Sequence, residues 1–286
     1  MNFPKFWARG FAPGNNIPDE SSKFSCWRWS DESPEAAQAA AVEAAKKMAA
    51  KAARGEPLPS GYGYSDRPLR EEIIRELTNR NGERSAVLTR NAYGCLVLNT
   101  ARAMFVDVDI PGLEHARESP GFFGRLFGQK SQDSLVEPFL KKAQAWAYSQ
   151  SGWGWRIYRT CAGLRLLATH NVFEPDAGNT METFDEMGTD PLYRKLCEAQ
   201  NCFRARLTPK PWRCGLHKPP VRWPFENEAV ESRFQQWESS YLGAAGQFAT
   251  CRLIKRIGTD VVHHEIQAII ELHDQVSCAD SDLPLA

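Results

Sequence analysis

Between Ala103 and Leu207 the apolar residues switch from a period of two to a helical period and back, in the order β-α-β-β-α-β. Residues 103–109, Ala103 through Met104-Phe105-Val106-Asp107-Val108-Asp109, read as a central strand, and 135–148 as a helix. Residues 155–159 and 164–169 read as strands of a hairpin through Thr160-Cys161-Ala162-Gly163, with Gly163 expected to supply a positive φ. Asp190 before Pro191 marks a helix start, since the carboxylate accepts from free amides and proline suits the first turn. That helix runs to about Gln200, and 202–207 alternates as a further strand.

The flanks extend this pattern. Residues 23–30 alternate as a strand; Ser33 caps an Ala-rich helix that Gly55 stops after Arg54. Pro68 opens a predicted helix over 69–78, with Ile73, Ile74 and Leu77 on one side, and 85–89 and 93–98 read as short strands. Residues 111–133, rich in Gly and Pro, read as an inserted loop. After a Pro/Trp-rich stretch come a helix over 227–242, a strand over 248–254 and a helix over 263–276. The expected class is α+β: a ferredoxin/RRM-like β-α-β-β-α-β core, extended by N-terminal strand-helix elements and a C-terminal helix-strand-helix. The expected sections are 1–82, 83–225 and 226–286. Such a core serves many functions and names none of them.

Charge excludes a global attraction to nucleic acid or membrane, because 35 Lys and Arg balance 35 Asp and Glu. The balance is uneven along the chain: Arg204, Arg206, Lys210, Arg213, Lys218 and Arg222 fall in one stretch without a carboxylate. No run of about 18 apolar residues predicts a membrane span. The first residues lack the apolar run of a secretory signal, and the 8 cysteines are scattered, so a cytoplasmic protein with reduced thiols is expected.

The period of two places Asp107 and Asp109 on one face at a strand end, where paired carboxylates suit Mg²⁺ or Mn²⁺ and so phosphoryl or nucleotidyl transfer. They are the expected catalytic acids and metal ligands. Spatially, the hairpin would bring Arg159, Thr160 and Arg165 beside them, guanidinium groups being suited to bidentate phosphate binding. The bland alternative for the same residues is a structural ion-pair network.

The Asp107-Val108-Asp109 strand end, the glycine hairpin from Thr160 to Arg165 and the later Arg204-Ala205-Arg206-Leu207-Thr208-Pro209 resemble, over residues 103–213, the catalytic core of archaeo-eukaryotic primases and primase-polymerases. The resemblance implies a nucleotide site built on an acidic D-x-D motif, a hairpin whose histidine meets the nucleotide, and a third acid. Arg165 stands where that histidine would be, and only Asp190 offers itself as the third acid. The whole chain is also similar to uncharacterised bacterial proteins sharing these segments, which adds no function.

Arg204, Arg206, Lys210 and Arg213 accompany Trp212 and prolines, a mixture suited to phosphates and to a base stacked on Trp212 or Trp223. Cys197, Cys202, Cys214 and His217 have a loose zinc spacing, but helix and strand positions for the first two argue against a structural zinc. His263, His264 and His273 lie on a helix whose Ile266, Ile269 and Ile270 face a core, so His273 reads as a core-edge residue. Phe122, Phe123 and Phe127 would offer a protein partner an apolar patch. Two functions are therefore expected to compete. One is a nucleotide- or nucleic-acid-processing protein on a primase-like core; the other is a non-catalytic interaction module held together by ion pairs.

Overall fold

The computed structural model describes residues 1–13, 23–58, 67–113 and 122–286, with the backbone alone at Lys23 and 122–132. Strands β1 (Phe6–Pro13) and β2 (Lys23–Ser30) pair antiparallel. Helix α1 (Pro34–Ala53) lies across them, its first turn capped by Ser33 Oγ, which accepts from Ala36 N at 3.1 Å. Ala37, Ala41, Ala44 and Ala45 form its buried face. Small residues let the backbones approach closely: a Cβ on Gly10 would stand 2.2 Å from the Ala41 carbonyl carbon.

Two four-stranded antiparallel sheets follow. One has the order β3 (Glu72–Thr78), β4 (Arg84–Arg90), β5 (Leu96–Thr100), β9 (Phe203–Arg206). The other has the order β10 (Cys251–Gly258), β7 (Gly154–Thr160), β8 (Gly163–Ala168), β6 (Phe105–Asp109). Helices α2 (Phe122–Ser149), α3 (Gly178–Met187), α4 (Pro191–Gln200), α5 (Glu228–Ala245) and α6 (His264–Ser277) complete a mixed α+β chain. One apolar core draws on both sheets, with Leu98, Phe203 and Ala205 from one, Phe105, Val106 and Leu166 from the other, and Phe184, Tyr193 and Ile266 from helices. Among the described residues no helix is long and apolar enough to cross a membrane.

Several expectations change. The segment expected as a helix over 69–78 is instead strand β3, an edge strand with no fully buried position, so the period of two that betrays a half-buried strand is weak in it. It is held to β4 partly by cross-strand pairs, Glu76 with Arg84 at 2.8 Å and Glu72 with Arg90. Strand β5 begins later than expected because Asn91 Oδ1 accepts from the amides of Tyr93 and Cys95, making a turn that Gly94 completes at φ +79°. The expected loop over 111–133 becomes helical from Phe122, and α2 runs through Pro138. Glycine in a helix interior costs about 1 kcal/mol and does not forbid the turn.

Strand β9 hydrogen-bonds to β5 and not to β6. Where β6 and β9 face each other, Tyr193 fills the gap. Its Oη donates to Phe105 O at 2.8 Å and accepts from Arg204 N at 3.3 Å. Next along β6, Asp107 O accepts from Asp190 N at 3.0 Å. The outer edge of β6 is thus satisfied by α4 and the residue that caps it, which removes an open strand edge.

Gly163 does not adopt the positive φ expected of it. It is needed for space: opposite Asp109 in the β6–β8 register, a Cβ there would lie 1.8 Å from Val108 O. Because that neighbour is backbone, nothing flexible can yield. Gly163→Ala is expected to destabilise the fold by about 1–3 kcal/mol, the usual cost of overpacking, and urea unfolding with the midpoint lowered checks it.

Candidate functional site

Strand β6 delivers Asp107 and Asp109 to one face, and β8 places Arg165 directly opposite Asp107. The pair is bidentate, with Nε to Oδ1 at 2.7 Å and Nη2 to Oδ2 at 2.9 Å, while Nη1 donates to Arg206 O at 2.9 Å. Arg165 is 3% exposed and Asp107 27%. Burial alone would favour loss of the arginine proton; the Asp107 carboxylate more than offsets it and fixes the cation.

This arrangement does not fit a divalent metal on Asp107. A guanidinium already occupies the cation's place, and Mg²⁺ or Mn²⁺ would have to break two charge-assisted bonds beside a fixed positive charge. Among the described residues no three His, Cys, Asp or Glu side chains converge on a common point.

Other expected phosphate ligands are engaged elsewhere. Arg159 alternates with Tyr158, which pairs in register with Arg165, so Arg159 projects from the opposite face to Asp107 and Asp109. Its Nη1 donates to Gly163 O at 3.0 Å and also to Thr160 O. Thr160 closes the hairpin, its Oγ1 accepting from Gly163 N at 3.0 Å. Arg204 is buried against Glu71, with Nη2 at 2.8 and 3.1 Å from the two carboxylate oxygens.

What the fold does bring together is Asp109 with Arg206, Lys210 and Arg213. The Asp109 residue is open to solvent, yet partial burial of its carboxyl, then Asp107 and Asp190, push its pKa above 3.8, with Lys210 and Arg206 opposing. Asp190 itself caps α4, accepting from Leu192 N and Tyr193 N. Burial is also the largest influence on Lys210, Arg206 and Arg213, holding each below its ordinary value against the partial relief that nearby acids and thiols give. Among the described residues, Arg206 Nε is buried without a hydrogen-bond partner.

Beside this cluster the 3-10 helix Pro211–Cys214 presents Trp212 with 46% of its surface exposed. Lys210 and Lys218 place their ammonium groups 5.5 and 5.6 Å from its ring centre, and Tyr93 meets it edge-on at 5.3 Å. The loop is pinned from beneath by α5. Tyr241 Oη donates to Pro209 O at 2.7 Å, and Trp237 Nε1 donates to His217 O at 3.0 Å. Cys95 Sγ adds a contact to Pro209 O at 3.3 Å.

Cys197 and Cys202 are fully buried, and burial raises both thiols, which disfavours the thiolate that zinc requires. Cys214 lies instead near Cys95, and His217 is exposed. His273 is buried between Phe105 and Tyr158, with Nδ1 2.8 Å from Asp274 and Nε2 3.9 Å from the Cys251 sulfur. That resembles a nucleophile arrangement in outline only: Cys251 is wholly buried and its thiol is pushed up to about 11, chiefly by burial. The side chains of Phe122, Phe123 and Phe127 lie outside the described residues.

Comparison with family models, with curated proteins and with solved structures found no match in any of the three. The residues that sequence patterns missed are Tyr193, Glu71, Tyr93 and Asn91. Only Asn91 carried a local signal, as an Asn three residues before a glycine.

Two outcomes test this geometry. Asp107→Asn leaves Arg165 buried without its counter-charge and should cost about 3–5 kcal/mol in urea unfolding, with Asp107→Leu/Arg165→Met recovering most of it. Asp109 has a raised folded pKa, so its ionised form costs stability above that pKa and the cost vanishes below 3.8. Asp109→Asn should therefore raise the melting temperature at neutral pH, with the gain shrinking as pH falls toward 3.8 in a pH series of thermal melts.

Proposed function

We propose that this chain binds a nucleotide or single-stranded nucleic acid at the surface built on Arg206, Lys210, Trp212, Arg213 and Lys218. A base stacks on Trp212, and phosphates meet Lys210, Lys218 and Arg213. Carrying this reading is one observation: an aromatic ring 46% exposed, flanked by two lysines and fixed on a pinned loop. Support comes also from burial, which is the first cause that lowers Arg206, Lys210 and Arg213 below their ordinary values. A phosphate brought to them would offset that cost of burial.

A primase-like core, read at a distance, is the scaffold that this proposal assumes. Strands β6, β8 and β7 are adjacent in the order that a split β-α-β unit requires, and β9 stands beside β6 with Tyr193 between. On this reading Arg165, in the hairpin-histidine place, has exchanged metal-dependent transfer for a fixed charge pair, leaving binding without nucleotidyl transfer.

The competing reading, an interaction module braced by ion pairs, is favoured by the buried pairs Arg165–Asp107, Arg204–Glu71 and Arg156–Asp274. Fluorescence anisotropy with labelled oligo-dT at low salt separates the two. Binding is expected in the range of about 1–100 μM, the ordinary strength of sequence-independent contact. Trp212→Ala should weaken it by about 1–3 kcal/mol, the worth of one stacked base. Absence of binding up to about 100 μM would leave the interaction module standing.

A further inference from the structure

The basic surface does not end at Lys218. Its ammonium group lies 5.2 Å from the Tyr93 ring, and the neighbouring Asn91, Ala92 and Pro219 line a small cavity of about 30 Å³ together with Arg70, Arg222 and Trp223. Arg70 rests its guanidinium 4.0 Å over the Trp27 ring. Trp27 in turn lines an open groove of about 1110 Å³ that also holds Arg9, Phe11 and Pro224. Arg9 lies 5.0 Å over Phe11. Cation and aromatic ring therefore recur in succession, from Trp212 with Lys210 and Lys218 to Trp27 with Arg70 and Phe11 with Arg9, and the groove beyond Trp27 also carries Glu35, Glu43 and Glu226.

The charges on this path are uneven in a telling way. Arg90 also lines the small cavity, but Glu72 and Glu238 neutralise it. Arg9 has Glu226 at 3.4 Å. Among the described residues Arg70 and Arg222 make no ion pair, and the charges there that act on Arg70 are those of Arg222, Arg67 and Arg9. The half-buried Arg70 and the exposed Arg222 repel, and the folded chain tolerates this at a cost that a bound anion would remove. Burial, followed by those three arginines, lowers Arg70 to about 10.

We infer that Arg70 and Arg222 form a second phosphate subsite, and that the ligand is an extended single strand running from Trp212 past Lys218 to Trp27, not a mononucleotide. This rests on the function proposed above and names its substrate class. Planar guanidinium groups grip phosphodiester oxygens, and Trp27, which Arg70 already covers on one side, offers its ring to a base at the mouth of the groove. The 210–222 segment is what joins the two subsites, so both contact the same strand at different nucleotides.

Anisotropy titrations of the full chain with labelled oligo-dT of about 4 and about 16 nucleotides, the span of site sizes for single-strand modules, test the inference. The long strand should bind more tightly than the short one. Arg70→Gln/Arg222→Gln should leave the short strand within about twofold, weaken the long strand several-fold, and lower its slope of log K against log salt by about 1.4, two phosphates at about 0.7 each. Trp212→Ala should weaken both lengths. Arg222 is exposed, so Arg222→Gln alone, expected to lower the slope by about 0.7, guards against a folding defect at Arg70. If both lengths bind equally and the arginine variants change nothing, the second subsite is overturned while the Trp212 surface stands. If neither length binds, both are overturned.

Discussion

The contact between Asp107 and Arg165 holds together more than two side chains. Arg165 uses three donors, two on the carboxylate of β6 and one on the Arg206 carbonyl of β9, so a single buried cation spans the line where the two four-stranded sheets meet without a ladder of backbone hydrogen bonds. Tyr193 performs a parallel task one step along, joining Phe105 O to Arg204 N through one hydroxyl. An orphaned buried polar atom along that seam costs on the order of 1–3 kcal/mol, and Arg206 Nε is one that stays unpaired among the described residues. The seam is therefore a chain of obligatory contacts, and the strand end that carries Asp109 is positioned as a by-product of meeting them.

The same contact decides the chemistry. Two acids separated by one residue on a strand end are a good start for a metal site only while both remain open. Here the register sets Arg165 against one of them, 58 positions away in sequence, and the low local dielectric makes that choice strong. Asp107 becomes structural, and Asp109 is left as the exposed acid among half-desolvated cations. Around it stand Arg206, Lys210 and Arg213.

Elements with local chemistry were legible in the sequence, and elements defined by distant partners were not. Ser33 before Pro34, and Asp190 before Pro191, mark helix starts within a few residues, and both caps form. The 155–169 hairpin follows its alternation. By contrast, β3 is an edge strand whose side chains are nowhere fully buried, so Ile73 and Leu77 read equally well at helical spacing. The partner of Arg204 is Glu71, 133 positions away, and no spacing rule links them. Gly163 was singled out correctly but for the wrong cause: it is required by the approach of Val108 O, a fact of sheet packing that a dihedral argument cannot supply. The acid pair and Arg165 as a partner for it were both visible; that the register gives Arg165 to Asp107 and leaves Asp109 was not.

A chain with 35 cationic and 35 acidic side chains can still carry a charged surface if its acids are spent selectively. Asp107, Glu71 and Asp274 are used on Arg165, Arg204 and Arg156, and Glu72 and Glu238 on Arg90. The stretch from Arg206 to Arg222 is rich in cations and has no carboxylate of its own. With no net charge behind it, its field fades within the roughly 8 Å Debye length of physiological salt. Long-range steering is thus weak, and capture of an anion depends on direct contact along the path of rings and cations. Affinity on such a surface would grow with the number of subsites engaged, so the proposed track from Trp212 to Trp27 would suit a strand better than a single nucleotide.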